Sequence, residues 1–455
     1  MQLDFDFLAI GAGACGLAGA IAAHDQGLSS AVVEKLDRIG GNSALSTGSV
    51  PGAGTRFQRE EGIDDDPETF FRDLMRIAPQ TDDVELIRRL TSVSAETVEW
   101  LVDQVEARLK IVTTYKHIGH TRCRLHAPPS RRGIDLVDDL VTAAEKRDIP
   151  VALGNQVVDL IEESRGVVGV RVKIGEEISE IRARKILLAV NGFAANRDLV
   201  MRFCPEIAGA TYFGAPGSTG EAVIWGEKLG AELQNMGAYQ GYASVSDPHG
   251  GLLSWTTVEK GGFIVGPDGR RFGDESLGYS GFARIVLEKA GRAFTVFDQK
   301  IFDVASLEEE FAELAKYGAF READDPRELA AAIGLDADAL EQEFAHYNRA
   351  AGGNASDPFG RSDFGLGPLE GRLYVGRVVP GLFHTQGGLR IDGDARVLRP
   401  SGEPVANLFA GGGAAAGISG REGALGYASG SGLLTAIALG RLAALAAARE
   451  IGAQT

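Results

Sequence analysis

Apolar residues open the chain almost at once: "LDFDFLAI" is a short hydrophobic run that predicts a buried strand over Leu3 to Ile10. A Gly-rich turn follows, then an Ala-rich stretch from Gly16 to Gln26 that reads as a helix, then a second apolar strand from Ser30 to Glu34. Strand, turn, helix and strand in that order predict a parallel pair joined by a crossover helix. "PETFFRDLMRIA" and "DDVELIRRLTSVSAETVEWLVDQV" predict amphipathic helices, the second opening on acidic residues that suit a helix N-terminus. "GIDLVDDLVTAAEKRDIPVALGNQVVDLIEESRGVVGVRVKI" predicts a helix, then a strand and hairpin, and "ARKILLAVNGF" another buried strand ending in a Gly turn. From about Gly237 the texture changes. Gly and aromatic residues interleave, "GFIVGPDGRRFGDES" predicts a hairpin turn at Pro267-Asp268-Gly269, and acidic helices fill roughly residues 305 to 350. The end returns to the opening style, with "ANLFAGGGAAAG" and a long Ala/Leu helix from about Gly432. This pattern predicts an α/β fold: a Rossmann-type domain over residues 1–237 and 385–455, interrupted by an inserted α+β capping domain over residues 238–384.

Composition narrows the class. A chain of 455 residues exceeds the usual size of a single core. Its 61 Gly are about twice the average share of ~7% and are not periodic, so they mark sites of close backbone approach rather than a repeat. A net charge of −17 argues against nucleic acid or an anionic membrane as partner. Cys15, Cys123 and Cys204 are too few and too scattered for a disulfide framework or a cysteine-based metal centre, and no metal is expected. The longest apolar run, near the C-terminus, is interrupted by Gly440 and Arg441, so no membrane span is expected. No signal peptide precedes the first strand, and a cytoplasmic compartment is the default expectation.

The first turn carries chemistry. Gly11, Gly13 and Gly16 form G-x-G-x-x-G between a strand and a helix, with Ala14 and Cys15 inside the turn. Gly11 permits the tight turn, Gly13 lets a pyrophosphate approach backbone N–H groups, and Gly16 allows close helix–strand packing. Glu34, followed by Lys35, ends the second strand, where a carboxylate accepts the ribose hydroxyls. NAD and FAD share this fingerprint. The choice comes from "RIGGNSALSTGSV", residues 38 to 50, too poor in apolar residues for a buried helix and too rich in Gly and Ser for a strand.

That stretch resembles the second phosphate loop of FAD proteins in the fumarate reductase and 3-ketosteroid dehydrogenase superfamily. The resemblance implies that Gly40, Gly41 and Gly48 give close backbone approach, while Asn42, Ser43, Ser46 and Thr47 supply neutral donors. It also implies a non-covalent FAD, because Asn42 stands where succinate dehydrogenase relatives place a flavin-linking histidine. A plain Ser/Gly surface loop is the alternative. Further matches run along nearly the whole chain. "KILLAVNGFAAN" resembles the family's A-T-G-G-F turn, with Asn191 where Gly or Thr is usual, followed by Gly192. "PGLFHTQGGLRID" resembles H-T-x-G-G-L and contains Gly388; "LFAGGG" contains Gly412 and Gly413, the latter where fumarate reductases usually carry Glu. Val157 is a further expected cofactor contact, and Ser431, Gly432 and Leu433 are expected as backbone donors to the flavin's pyrimidine edge at the start of the last helix.

The family's shared chemistry moves a hydride between flavin N5 and a carbon beta to an electron-withdrawing group, with a proton moved at the alpha carbon. In "RFGDESLGYSGF" the residue at the family's acid–base position is Tyr279, as in 3-ketosteroid dehydrogenases, where fumarate reductases carry Arg. A phenol with a reference pKa near ~10 needs help to act as a base, and Tyr239, Tyr242 and Tyr115 are candidates for a relay. An aromatic cap in a packed loop is the other reading of Tyr279. Tyr242 and Trp255, with Thr256, replace residues that contact dicarboxylates, so the pocket suits a ring or a mono-anionic ketone. His384 matches the family's substrate-binding histidine. The second anchor in "SGREGALGYASGSG" is Arg421 counted from the left or Tyr427 counted back from the helix, and both stay open. "YKHIGHTRCRLHAPPSRRG" supplies His120, His126, Arg131 and Arg132 as candidate carboxylate binders, with a solvated basic loop as the alternative.

The resulting expectation is FAD-dependent alpha,beta-dehydrogenation of a small-molecule carbonyl compound, a cyclic ketone or keto acid, with Tyr279 as base. The alternatives are a fumarate- or acrylate-type reductase and a non-catalytic Rossmann-fold binding protein. No C-x-x-C-H haem signature exists, so the electron acceptor is expected to be external.

Overall fold

The opening strand, Phe5–Ile10, is apolar on both faces because it lies inside a parallel sheet. Phe7 stands opposite Ser30 of Ser30–Val33 on one side and opposite Lys185 of Glu177–Leu188 on the other. The strands run in the order Arg396–Leu398, Pro404–Ala410, Glu177–Leu188, Phe5–Ile10, Ser30–Val33, Val151–Ala152. Only the first of these pairings is antiparallel. A hairpin of Gln156–Glu163 and Gly166–Ile174 extends from the outer half of Glu177–Leu188. The computed structural model describes residues 3–78, 83–114, 116–289 and 291–453. Two units divide the chain: one is Met1–Cys204, Gly214–Tyr239 and His384–Thr455, the other Pro205–Phe213 and Gln240–Phe383.

In the first unit the helix Ala14–Asp25 packs against the final helix, Ser431–Gly452, through small residues. A Cβ on Gly440 would overlap the carbonyl oxygen of Cys15, and one on Gly411 would lie 2.6 Å from Cys15 Sγ. A Cβ on Gly19 would stand 2.6 Å from Leu187 Cδ2 and 3.2 Å from Gly440 O. The final helix corrects one expectation. It is long and apolar enough to cross a membrane by length and composition, and Gly440 and Arg441 do not break it. Most of it is buried inside this unit. Gly440 serves the close contact, while Arg441 pairs with Glu96 at 2.5 Å and lies 5.8 Å from the Trp100 ring. A buried ion cluster holds the preceding segments. Arg124, with no side-chain exposure, grips Asp65 through Nε and Nη2 (2.7 and 2.8 Å) and Asp73 through Nη1 (2.6 Å).

The second unit's sheet has the order Phe263–Val265, Ala293–Asp298, Leu373–Thr385, Gly237–Ser246. Thr211–Tyr212 pairs in parallel with Gly381–Leu382, which explains why residues 205–213 belong here. The turn at Pro267–Gly269 forms, with Gly269 at φ +72° donating to Gly266 O at 2.9 Å. Its outgoing arm is not a strand. Phe263–Val265 pairs with Ala293–Asp298 instead, and Arg271 turns inward to a bidentate pair with Glu275 (2.9 and 2.5 Å) and a further pair with Asp357. Helices Glu309–Lys316, Pro326–Ile333 and Ala337–Ala351 fill the acidic region, interrupted by the strand Phe320–Ala323 that pairs with Leu373–Gly376.

Two outcomes are expected. Gly440→Ala places a methyl group against backbone that cannot move aside, so urea unfolding should show a loss of about 2 kcal/mol. Four histidines of the first unit are held neutral by burial: His117 is pushed down to about 3, and His120, His126 and His384 to about 4. Unfolded histidines titrate near ~6.5, so the unfolded chain takes up protons that the folded chain refuses. Stability is therefore full above pH ~6.5 and falls as pH drops toward ~4, by up to about 1.4 kcal/mol per pH unit for each histidine. Unfolding midpoints measured across this range check the slope, which His126→Gln should flatten.

Candidate active site

The Gly-rich turn and the Ser/Gly loop fold directly onto each other. Gly11, at φ +107°, sits so close to Ala189 O that a Cβ would overlap it, and a Cβ on Gly16 would overlap Gly11 O. Gly13 and Gly40 form a parallel bridge, Gly40 N donates to Ala12 O at 2.9 Å, and Ala14 N donates to Ser43 Oγ at 3.2 Å. Glu34 is pinned by the N–H groups of Ala12 (2.8 Å) and Leu36 (2.9 Å). Asn42 Oδ1 accepts from Ala215 N at 2.6 Å, which leaves its Nδ2 buried without a protein partner; Ser431 Oγ is in the same position. Ser46 Oγ bridges Ser43 O and Gly48 N at 2.7 and 3.0 Å, and Thr47 pairs with Ser49 at 2.8 Å. Gly41, exposed at φ +52°, has open space beside it.

These features fit an FAD. Two buried polar atoms await partners, and the turn around Gly13 leaves backbone accessible to a phosphate. Other expected contacts are committed within the protein. Lys35 Nζ binds Thr219 Oγ1 (2.8 Å) and Glu221 Oε1 (2.5 Å). Cys15 is buried, with its thiol pushed up to about 12 by desolvation. The backbone N–H groups of Ser431 and Leu433, expected as flavin donors, point to Ala428 O and Gly430 O at 3.1 Å. Asn191, at φ +65°, accepts from Gly192 N at 2.9 Å and donates to Ser218 Oγ at 2.8 Å. A Cβ on Gly413 would lie 2.5 Å from Asn191 Oδ1, so Asn191 already fills the place of a side chain there. Gly388 is pressed against Ala415, Gly412 faces Ala436, and Val157 is buried opposite Val172.

The basic segment is mostly interior, and His120 and His126 are both buried. His120 Nε2 lies 2.8 Å from Ser429 O, and His126, with no exposure, lies 3.0 Å from Thr55 Oγ1. Arg124, not named from the sequence, is the residue that binds carboxylates here, and both belong to the protein itself. Arg131, at φ +58°, is half-buried with Nη2 3.4 Å from His117 Nε2 and Nε without a protein partner; Arg132 is exposed. Tyr115 lies outside the described residues.

His384 and Tyr427 come together, their rings 5.9 Å apart at 70°. A Cβ on Gly432 would lie 3.7 Å from His384 Nε2, so the imidazole faces the start of the final helix. Arg421 is exposed and lines a cavity of about 430 Å³ with Glu232, Gln234, Asn235 and Arg390. In the second unit, Tyr279 occupies the first turn of Gly278–Lys289 and is half-buried. Its ring lies 5.1 Å from Tyr242 and 6.4 Å from Trp255, and Tyr242 stacks on Phe383 at 5.3 Å. The Tyr242 hydroxyl accepts from Trp255 N at 3.0 Å and donates to Leu253 O at 3.3 Å. Burial, reinforced by Glu308, raises its pKa well above the usual phenol value. Tyr239, the other relay candidate, is buried in the first unit.

The family model described as an FAD binding domain matches residues 6–426. The chain is 32% identical over 422 residues to an NADH:fumarate oxidoreductase of Klebsiella pneumoniae (strain 342), a match covering 92% of this chain and 45% of that protein. The chain thus spans less than half the length of that relative. The open conformation of a flavocytochrome c3 fumarate reductase shares the fold with a TM-score of 0.83 and 27% identity, over 98% of this chain and 78% of that one. The 3-ketosteroid delta1-dehydrogenase from Sterolibacterium denitrificans shares it with a TM-score of 0.80 and 21% identity, over 98% of this chain and 99% of that one.

Gly13 provides the test of cofactor fit. At φ −82° it needs no glycine conformation, and a Cβ there would meet only ordinary contacts, 3.6 Å to Gly40 O and 3.7 Å to Ser43 Oγ. Gly13→Ala should therefore leave the apoprotein's unfolding free energy within about 0.5 kcal/mol while weakening FAD binding at least tenfold by flavin fluorescence titration. The protein belongs to the FAD-binding-domain family of flavoproteins that includes the fumarate reductases, and it is an FAD-dependent oxidoreductase.

Proposed function

We propose that the protein dehydrogenates a small cyclic ketone or keto acid between the carbons alpha and beta to its carbonyl. The observation that supports this is the ring of Tyr427 lying 5.9 Å from that of His384, with Arg421 exposed beside Glu232 and Arg390. Desolvation pushes the His384 imidazole down to about 4, so it is neutral at pH 7. A neutral imidazole and a phenol make a pair of hydrogen-bond donors suited to one carbonyl oxygen, whereas a carboxylate calls for a cation.

In this reading, bound FAD supplies a two-electron acceptor for the hydride leaving the beta carbon. Tyr279, as its phenolate, takes the proton from the alpha carbon and becomes the phenol. His384 and Tyr427 donate to the carbonyl oxygen and stabilise the negative charge that grows there as that proton leaves. Tyr242 and Trp255 give Tyr279 an apolar surround, which suits a ring and limits water. The electrons then pass to an external acceptor.

A second reading runs the chemistry in reverse, as an enoate reductase with Tyr279 delivering the proton. The 32% and 27% identities to proteins described as fumarate reductases favour it. Anaerobic bleaching of the flavin by saturated substrates separates the two. A cyclic ketone or 4-oxocyclohexanecarboxylate is expected to bleach it, and Tyr279→Phe to slow that step by roughly 10²–10⁴-fold with FAD content unchanged. Bleaching by succinate alone would sink the ketone reading and favour the reductase.

A further inference from the structure

We propose that Gln386 is a positioning residue that sets the tautomer of His384, holding the proton on Nε2 so that this nitrogen donates to the substrate oxygen. The proposal rests on the reading of His384 as a substrate-oxygen ligand. Its structural basis is the third position of His384-Thr385-Gln386-Gly387-Gly388. Gln386 is buried, and its backbone is tied on both sides: N donates to Ala238 O and O accepts from Gly417 N, each at 2.7 Å. Its side chain is equally constrained. Oε1 faces the Ser419 hydroxyl at 3.3 Å, and a Cβ on Gly417 would overlap Oε1, so the carboxamide lies against a position open only to glycine. This orientation turns Nε2 toward His384 Nδ1 at 3.1 Å.

An amide nitrogen can only donate, so Nδ1 must present its lone pair. In a neutral ring the single proton then sits on Nε2, the nitrogen that faces Gly432. The opposing influence is Thr385 O, which lies 3.4 Å from Nδ1 and would accept a proton from it. That separation is long for a hydrogen bond, and the amide contact is shorter. Two neighbours therefore favour opposite tautomers, and the carboxamide decides between them. A carboxylate at position 386 would have the reverse effect, drawing the proton to Nδ1 and offering a lone pair where the carbonyl needs a donor.

The tautomer is read directly from ¹⁵N signals of labelled histidine in the full-length, FAD-loaded protein at pH 7, with the His384 signals identified by their loss in His384→Asn. The wild type is expected to show a bare Nδ1 and a protonated Nε2. Gln386→Met keeps the side-chain length but removes the amide donor, leaving Thr385 O as the partner of Nδ1. The proton should move to Nδ1, and KM for the ketone should rise about tenfold. Gln386→Glu should move the proton the same way. A proton on Nδ1 in the wild type, or an unchanged tautomer in both variants, overturns the proposal. The wild-type spectrum decides even if Gln386→Met fails to hold FAD. Because the spectra need no substrate, an unchanged KM in His384→Asn would remove the substrate role of His384 separately from the tautomer result.

Discussion

Close approach of backbones, made possible by missing side chains, is the constraint on which the first unit depends. Gly440 against Cys15, Gly411 against the Cys15 sulfur, and Gly16 against Gly11 allow the first and last helices and the first turn to share one layer. The first helix begins at the dinucleotide turn, and the last begins at Gly430–Ser431. The depth of their contact therefore fixes where both N-termini end, and with them the hydroxyl of Ser431. A methylene more at the seam would move the two ends of the cradle relative to each other.

Charge is handled differently in the interior and at the reacting residues. Arg124 with Asp65 and Asp73, and Arg271 with Glu275 and Asp357, are buried sets of one cation and two carboxylates, each balanced by a second arginine: Arg76 at 3.9 Å from Asp73 and Arg361 at 3.6 Å from Glu275. Such sets add little net stability, but removing one member leaves an unpaired charge in low dielectric, which costs about 3–5 kcal/mol. Glu275 also accepts from Ile264 N at 3.1 Å, tying the segment just before Tyr279 to the sheet of its unit. His384, by contrast, is stripped of charge by desolvation.

Much of this was legible in the sequence, because local rules and tertiary demands agree there. Gly11 and Gly16 are required by the turn itself and Gly13 by the cofactor fingerprint, so all three were readable from spacing. The helices Pro67–Ile77 and Val84–Asp103 follow their apolar periodicity, and the final helix its Ala/Leu run. The histidines were harder. His120 and His126 sit among arginines and look exposed in one dimension, yet Arg124 carries that segment inward by pairing with two carboxylates more than fifty residues away. Asn191 and Gly413 are two departures from the family pattern that the fold reconciles, since the side chain of one occupies the space left by the other.

By itself the sequence determined the order of strands and helices, the glycine turn, the FAD-type loop and the aromatic character around Tyr279, because each depends on neighbours a few residues apart or on a motif carried whole. Tertiary structure alone decided that the ring of Tyr427 lies beside His384, which histidines are buried and neutral, and that Gln386 touches the imidazole. Those outcomes depend on desolvation and on distances between segments far apart in the chain, and neither is encoded in local spacing.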